Sequence, residues 1–478
     1  MPKTPDSGPG VVSPALSEAT VGRGLLKLAL PLMLAQVLIC WIWPDTPWMN
    51  WASVAGAVCL WLLRWAPPGL QIFAGFSTLL LLTGSYAAEA IMLSHRVTPA
   101  QGAARDGIAF DNRTIHEVVG DERAKGVPAV PAIMPAALYT VRGKWVTLNG
   151  QEAITAGGIS KAPTIHCNER GFYANYQSDE HGFKNPAGLW NPGAVHLALI
   201  GDSYTHGDCV DERASISGVL RQRFRGTLSL GMPGNGPLLE LAGVHEYLTL
   251  VKPPRVLWMF YQNDFDDLMR ESQSPVLRRY LEPGFRMGLD GHQEEIDAQL
   301  QVIWKDLAQR EGSASWPHWL AQIGVTRRNC PLWLQDMALH QLQTWTAHFI
   351  QLTEIRQFVN AAVAGRLSQP APVTSRLPPV ALTEVLRQAR QEVEAWGGKM
   401  YFVYIPSYGD LKTSSSIGVW QKAMSAAHDA GLPVIDLLPV FRNHPQPMDL
   451  FSYAYSHYNE RGYAVAAAGL RDALEQMQ

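Results

Sequence analysis

The sequence has little net charge, little cysteine and no repetition, and each shortage excludes a class of protein. Net charge is −3 and no run of Lys and Arg interleaved with aromatics occurs, so nothing draws the chain to nucleic acid. The five cysteines (40, 59, 167, 209 and 330) include no CxxC or similar spacing, so no metal or other cofactor is expected. There is no internal repeat or low-complexity tract, which excludes a solenoid. Charge is almost missing from the first hundred residues. There "LLKLALPLMLAQVLICWIW" (25–43), "WMNWASVAGAVCLWLLRW" (48–65) and "LQIFAGFSTLLLLTGSYAAEAIML" (70–93) are each long enough to cross a bilayer.

Buried core helices would look similar, but these segments show no polar face, so the expectation is three membrane spans. Lys27 and Arg64 lie near segment ends, where they can snorkel, and tryptophans cluster where interfacial anchors belong. Lys3, Arg23 and Lys27 place the N-terminus in the cytoplasm by the positive-inside rule, and three spans carry the rest to the other side. The expected layout is a cytoplasmic tail (1–22), a three-span anchor (23–95), a Pro/Gly-rich connector and N-terminal extension (96–189), and a domain over 190–478. "SYAAEA" has the small-residue pattern of a cleavage site, so processing after the third span is a second reading.

Stretches such as "KGVPAVPAIMPAALY" read as an extended connector, with one hairpin at "YTVRGKWVTLNG". From about residue 166 the texture becomes α/β. Short apolar runs at 195–200, 226–231, 255–261, 400–405 and 432–437 alternate with helical patterns, which predicts a parallel sheet covered on both faces. A helical insertion at about 268–397 interrupts it and carries Trp304, Trp316, Trp319, Trp333 and Trp345. These tryptophans are packing residues of the insertion, sugar-stacking platforms or membrane-interface anchors.

The first strand candidate ends in "GDSYTHGDC". A strand end opens onto a crevice, so Ser203 is either a nucleophile or, with Asp202, an ordinary helix cap. "LGMPG" then offers Gly234, "YQND" offers Asn263 and "SHYNERGY" offers His457, each following a later strand. This order resembles the SGNH (GDSL-like) hydrolase family over about 190–267 and 399–478. The resemblance implies a flavodoxin-like α/β/α sandwich and an esterase or acyltransferase activity. It implies Ser203 as nucleophile, His457 as base, and Ser203 N–H, Gly234 N–H and Asn263 as the oxyanion hole.

One departure is visible: where the family has Asp two or three residues before its histidine, this chain has Tyr455 and Ala454. A backbone carbonyl or the more distant Asp449 could orient His457 instead. "SDEHGF" offers Asp179 and His181 as an alternative base pair, or as a plain loop. "DFDD" (264–267) suits a cation or a helix N-terminus, and "NRT" (112–114) is a sequon or a chance triplet. Cys167 and Cys209 are a disulfide if exported, or two buried thiols. The expected protein is a multi-pass bacterial inner-membrane esterase or O-acyltransferase with a periplasmic catalytic domain. Its expected partners are the membrane and an acylated glycan or lipid-linked substrate. The rival is an inactive SGNH-fold glycan-binding or scaffold protein.

Overall fold

The computed structural model describes residues 17–42, 47–94, 99–140, 145–314, 349–350, 352, 355, 380–412, 417–453 and 456–477. Trp316, Trp319, Trp333, Trp345, Ala454 and Tyr455 lie outside the described residues. The chain forms two compact units, Met1–Arg96 with Arg327–Val373, and Val97–Thr326 with Thr374–Gln478.

The first unit contains helices at Glu18–Ile42, Pro47–Leu62 and Pro68–Ser94. Two of them are long and apolar enough to cross a membrane, over Glu18–Ile39 and Pro68–Met92. The expected third span is corrected: the middle segment forms a helix of 16 residues. At about 1.5 Å per residue it falls short of a hydrocarbon core about 30 Å thick. A short 3-10 turn at Leu63–Trp65 and the pair Pro67-Pro68 end it where the apolar run suggested continuation. Leu28, Phe73, Phe76, Leu80 and Leu81 face outward, while Gln36, Gln71 and Glu89 are buried. That inversion of the usual pattern is what a hydrocarbon surrounding favours. At Gly75 a Cβ would sit 2.8 Å from the Leu25 Cβ, so a glycine is what lets the outer helices touch. Arg64 stacks over Trp61 and Trp65 at 4.3 and 3.8 Å.

The second unit opens with residues read above as a loose connector, and they are folded. A helix at Ile115–Ala124 begins with a capping box between Thr114, the last residue of the sequon triplet, and Glu117. Strands β1 (Val130–Pro131), β4 (Pro163–Ile165) and β5 (Asn175–Gln177) form a three-stranded sheet. The hairpin lies later than expected, between β2 (Val146–Leu148) and β3 (Gln151–Ala153). Its turn is Asn149-Gly150, both with positive φ (52° and 75°), the backbone a two-residue hairpin requires. Val119, Val130 and Ile133 belong to the same buried cluster as Ala198 and Ile200 of the main sheet. Elements of two to three residues carry no readable periodicity, so tertiary burial alone fixes them.

The main sheet is parallel: β6 (Leu197–Gly201), β7 (Thr227–Ser229), β8 (Arg255–Phe260), β9 (Lys399–Tyr404) and β10 (Val434–Asp436), in the order β10-β9-β8-β6-β7. Alternate residues enter opposite cores. In β8, Val256, Trp258 and Phe260 face one cluster, and Leu257 and Met259 the other. Both faces are therefore covered, as the unbroken apolar runs predicted. Chain order runs from β6 outward to β7, then back across to β8, which is the flavodoxin-like switch point. Gly201 pairs with Met259 and Phe260 with Tyr404, so the strand ends open onto a common edge. Helices of the insertion are described at Asp264–Glu271, Gln293–Ala314 and Leu382–Ala395. Trp304 is buried there, with Arg123 over its ring at 4.7 Å, in a packing role.

Candidate active site

The "GDS" turn caps a helix through Asp202 and sets Ser203 beside a histidine. The Asp202 side chain accepts the Tyr204 N–H at 2.9 Å and caps the short helix Ser203–His206. The Ser203 hydroxyl faces His457, whose Nε2 lies 3.0 Å from Ser203 Oγ, and makes a longer contact of 3.4 Å to the other Asp202 oxygen. Gly201 has φ 159°, and a Cβ there would press on Thr205 Oγ1 and the Met259 carbonyl, so this strand exit needs glycine.

The second nitrogen of His457 has a carboxylate that the sequence reading missed. Nδ1 lies 2.9 Å from Glu169 Oε1, which comes from the N-terminal extension rather than from positions 454–455. Ser452 and Ser456 donate to Glu169, each at 2.6 Å, and fix its rotamer. The expected choice between a bare dyad and Asp449 is corrected by this third partner. Burial works to raise Glu169, but the His457 hydrogen bond and charge, with the two serine hydroxyls, bring it below its ordinary value. For His457 burial works downward; the Glu169 hydrogen bond and the charges of Asp208, Glu169 and Asp202 outweigh it and raise the imidazole to about 9.

A second carboxylate stands on the serine side. Asp208 Oδ2 is 3.8 Å from His457 Nε2, while its Oδ1 meets His166 Nε2 at 3.0 Å and His206 Nδ1 at 2.9 Å. Burial opposes its ionisation, but these imidazoles hold it well below the carboxylate range. Burial lowers His206 to about 3, so this ring is neutral. Cys167 and Cys209 form a disulfide, which joins the segment carrying His166 and Glu169 to the loop carrying Asp208. Here was a usable signal: the Cys167–Cys209 pairing, once drawn, puts Glu169 two residues from a cross-link into the loop after Ser203.

Two close donor groups, His166–Cys167–Asp208 and Glu169–Cys209–His457, have ligand atoms within 4.8 Å of one another. Their sulfurs are tied up in the disulfide, and the two donors left in each fall short of a protein zinc site.

Asp179 and His181 do different work. Asp179 accepts the N–H groups of His181 and Phe183, each at 2.9 Å, and its other oxygen takes Asn185 and Trp190. Asn185 in turn binds both backbone groups of Ser229. The His181 ring packs edge-on to Trp190, centroids 4.5 Å apart, and no hydrogen bond joins it to Ser203 among the described residues. "SDEHGF" is thus a turn bolted to β7. The nearby Lys184, fully buried, donates to the carbonyls of Gly207 and Val210 and clamps the Asp208 loop.

Gly234 has φ +76° and only Ala136 Cβ, at 3.8 Å, near its open side. The Asn263 amide donates to Asp267 at 2.9 Å and also hydrogen-bonds Asp202. Beneath this side lie more buried acids, Asp202, Asp264, Glu240 and Glu271. Burial raises Asp202 to about 6 and Glu271 to about 7, and burial plus mutual repulsion holds Glu240 and Asp264 well above their ordinary values. "DFDD" supplies part of this layer: Asp264 accepts the Tyr261 N–H, and Asp267 pairs with Arg270 and Asn263.

No protein-family model matches the chain, and no curated protein matches it. Among solved structures it is similar to the lipase/acylhydrolase from Enterococcus faecalis (11% identity, TM-score 0.30, 59% of this chain and 95% of that one). It is likewise similar to TesA (11%, 0.31, 59% and 99%) and to an acetyl xylan esterase, AlAXEase (9%, 0.29, 58% and 98%). With TM-scores near 0.3, what the site can do is argued from its own geometry.

Proposed function

We propose that the chain is a membrane-anchored serine esterase or O-acyltransferase of the SGNH kind. It acts on an ester-linked acyl group of a cell-envelope glycan or lipid-linked substrate through an acyl-serine intermediate. The observation that carries the proposal is the line Ser203 Oγ to His457 Nε2 (3.0 Å) and His457 Nδ1 to Glu169 (2.9 Å), at the switch point of a parallel sheet. In this reading Ser203 attacks the ester carbonyl while His457 Nε2 takes its proton, and Glu169 stabilises the imidazolium. The N–H groups of Ser203 and Gly234 and the amide of Asn263 receive the oxyanion, Asn263 giving up one of its carboxylate partners. Collapse breaks the ester C–O bond, and His457 returns the proton to the leaving alcohol. Water or a sugar hydroxyl then takes the acyl group by the reverse path.

Two apolar helices support the anchor, and the disulfide supports an oxidising, extracytoplasmic compartment such as the periplasm. The inactive-scaffold reading leaned on a missing carboxylate, and Glu169 supplies one. The test is Ser203→Ala in the full chain: hydrolysis of p-nitrophenyl acetate and labelling by a fluorophosphonate should fall by several orders of magnitude with the fold retained. Parental activity in the alanine variant would overturn the proposal.

A further inference from the structure

A cavity of about 340 Å³ opens beside the catalytic line, and nothing in the chemistry above uses it. Its wall includes Ser452, whose hydroxyl holds Glu169, and Arg170, the residue after Glu169. Three guanidiniums line it: Arg105, Arg170 and Arg461. Arg170 pairs with Glu460 and Arg461 donates to the Asp449 carbonyl at 3.2 Å, whereas Arg105 has no hydrogen bond or ion pair among the described residues. Tyr408, Phe451 and Tyr453 give the wall aromatic faces, and Asp106 and Asp449 add two acceptors, Asp106 already taking the Tyr453 hydroxyl.

Each part matches one feature of a sugar ring. Aromatic faces cover the C–H side of a pyranose, carboxylates accept its hydroxyls, and a guanidinium fork takes a carboxylate in two parallel bonds. A bare phosphate would satisfy the arginines and leave the acidic and aromatic groups without a role. We infer that this cavity is a subsite for an acidic, carboxylate-bearing sugar residue, held by Arg105 beside the acyl-bearing unit of a glycan. The inference rests on the proposed activity only in naming the chain a glycan substrate. Its volume lies at the lower end of the range for small-molecule sites, enough for a short stretch of chain rather than a long groove.

The experiment separates binding from chemistry. The full chain carrying Ser203→Ala, in detergent, is titrated calorimetrically with tetragalacturonate, with uncharged galactotetraose and with phosphatidylglycerol vesicles. Tetragalacturonate should bind at least about tenfold tighter than galactotetraose, and adding Arg105→Ala should remove that margin. Arg105→Ala alone should hydrolyse p-nitrophenyl acetate within about twofold of the parent, which also shows that it folds. Equal binding of the two oligosaccharides, an intact margin without Arg105, or Arg105-dependent binding of the vesicles alone would each overturn the subsite. Loss of p-nitrophenyl acetate hydrolysis is a separate matter: if the parent lacks it while the acidic tetramer still binds, the esterase reading fails and the subsite stands.

Discussion

On the His457 side of Ser203, Glu169 and Asp208 touch imidazole nitrogens and are held below the ordinary carboxylate range. On the opposite side, burial holds Asp202, Asp264, Glu240 and Glu271 above it. Both groups are buried, so burial does not distinguish them. The partners do: imidazoles offset the lost hydration of Glu169 and Asp208, whereas Glu240 and Asp264 meet neighbouring acids that add repulsion, and burial alone raises Glu271. The result is one charged wall and one wall of acids held toward their protonated forms, Asp202 least and Glu240 and Asp264 well above their ordinary values. Negative charge is thereby concentrated where it can support an imidazolium, and kept low where Ser203 and Asn263 are to meet an oxyanion.

Breaking the charged wall should have the largest effect. His457→Ala is expected to lower kcat by about 10³-fold or more, and Glu169→Gln by about 10²-fold, because the imidazole keeps its place but loses its support. His181→Ala should stay within about tenfold. The base must be neutral, and with His457 raised to about 9 the free enzyme's kcat/KM should climb with pH through that value. Glu169→Gln removes one of the causes raising it, so the limb should move toward the ordinary 6.5. A pH profile of both enzymes on one ester checks this. An unmoved limb would detach Glu169 from the base.

The five strands and their two covered faces were legible because continuous apolar runs bounded by Gly, Pro and Asp have few other uses. Ser203 and His457 were legible for a similar reason, since they sit at strand ends where topology converges. Glu169 was not, because its 288-residue separation from His457 is bridged only by folding of the extension. That extension hid its order in strands of two or three residues. The middle apolar segment misled in the opposite direction: its composition suits a span, but a helix of 16 residues does not reach. "SDEHGF" has the composition of a base pair, yet Asp179 gives all four of its bonds to the backbone of that turn and to Asn185 and Trp190 after it.

A smaller loss is expected from cutting the tether between the two halves of the charged wall. The disulfide closes a separation of 42 residues and flanks His166, Glu169 and Asp208. Reduction by a dithiol, or Cys167→Ser with Cys209→Ser, frees Glu169 to leave His457, and kcat should fall about tenfold. Stability should fall by about 2–5 kcal/mol, the range for a native disulfide. Reoxidation should restore the reduced enzyme. Unchanged kcat together with the stability loss would make the bond a brace for the fold alone.

The protonated wall should matter least to rate and most to pH-dependent stability. Glu240 is 2% exposed, and among the described residues neither of its carboxylate oxygens has a hydrogen-bond partner. Asp264, Asp202 and Glu271 are the charges that act on it. Glu271, at about 7 against an ordinary 4.5, and Glu240, held well above its ordinary value, bind protons in the folded state that the unfolded chain has already released. Stability must therefore decline as pH rises above about 4.5 and continue to fall toward and beyond 7. Glu240→Gln keeps the shape, cannot ionise, and removes one of the repelling charges. It should flatten that decline and raise stability at pH 8 by about 1–3 kcal/mol, while kcat on a small ester stays within about threefold. Denaturant unfolding of parent and variant at pH 5 and pH 8 provides the comparison. A parallel decline in both would mean that Glu240 is already charged in the fold and that the two walls do not differ as described. A tenfold loss of kcat would instead place Glu240 among the groups that hold Ser203.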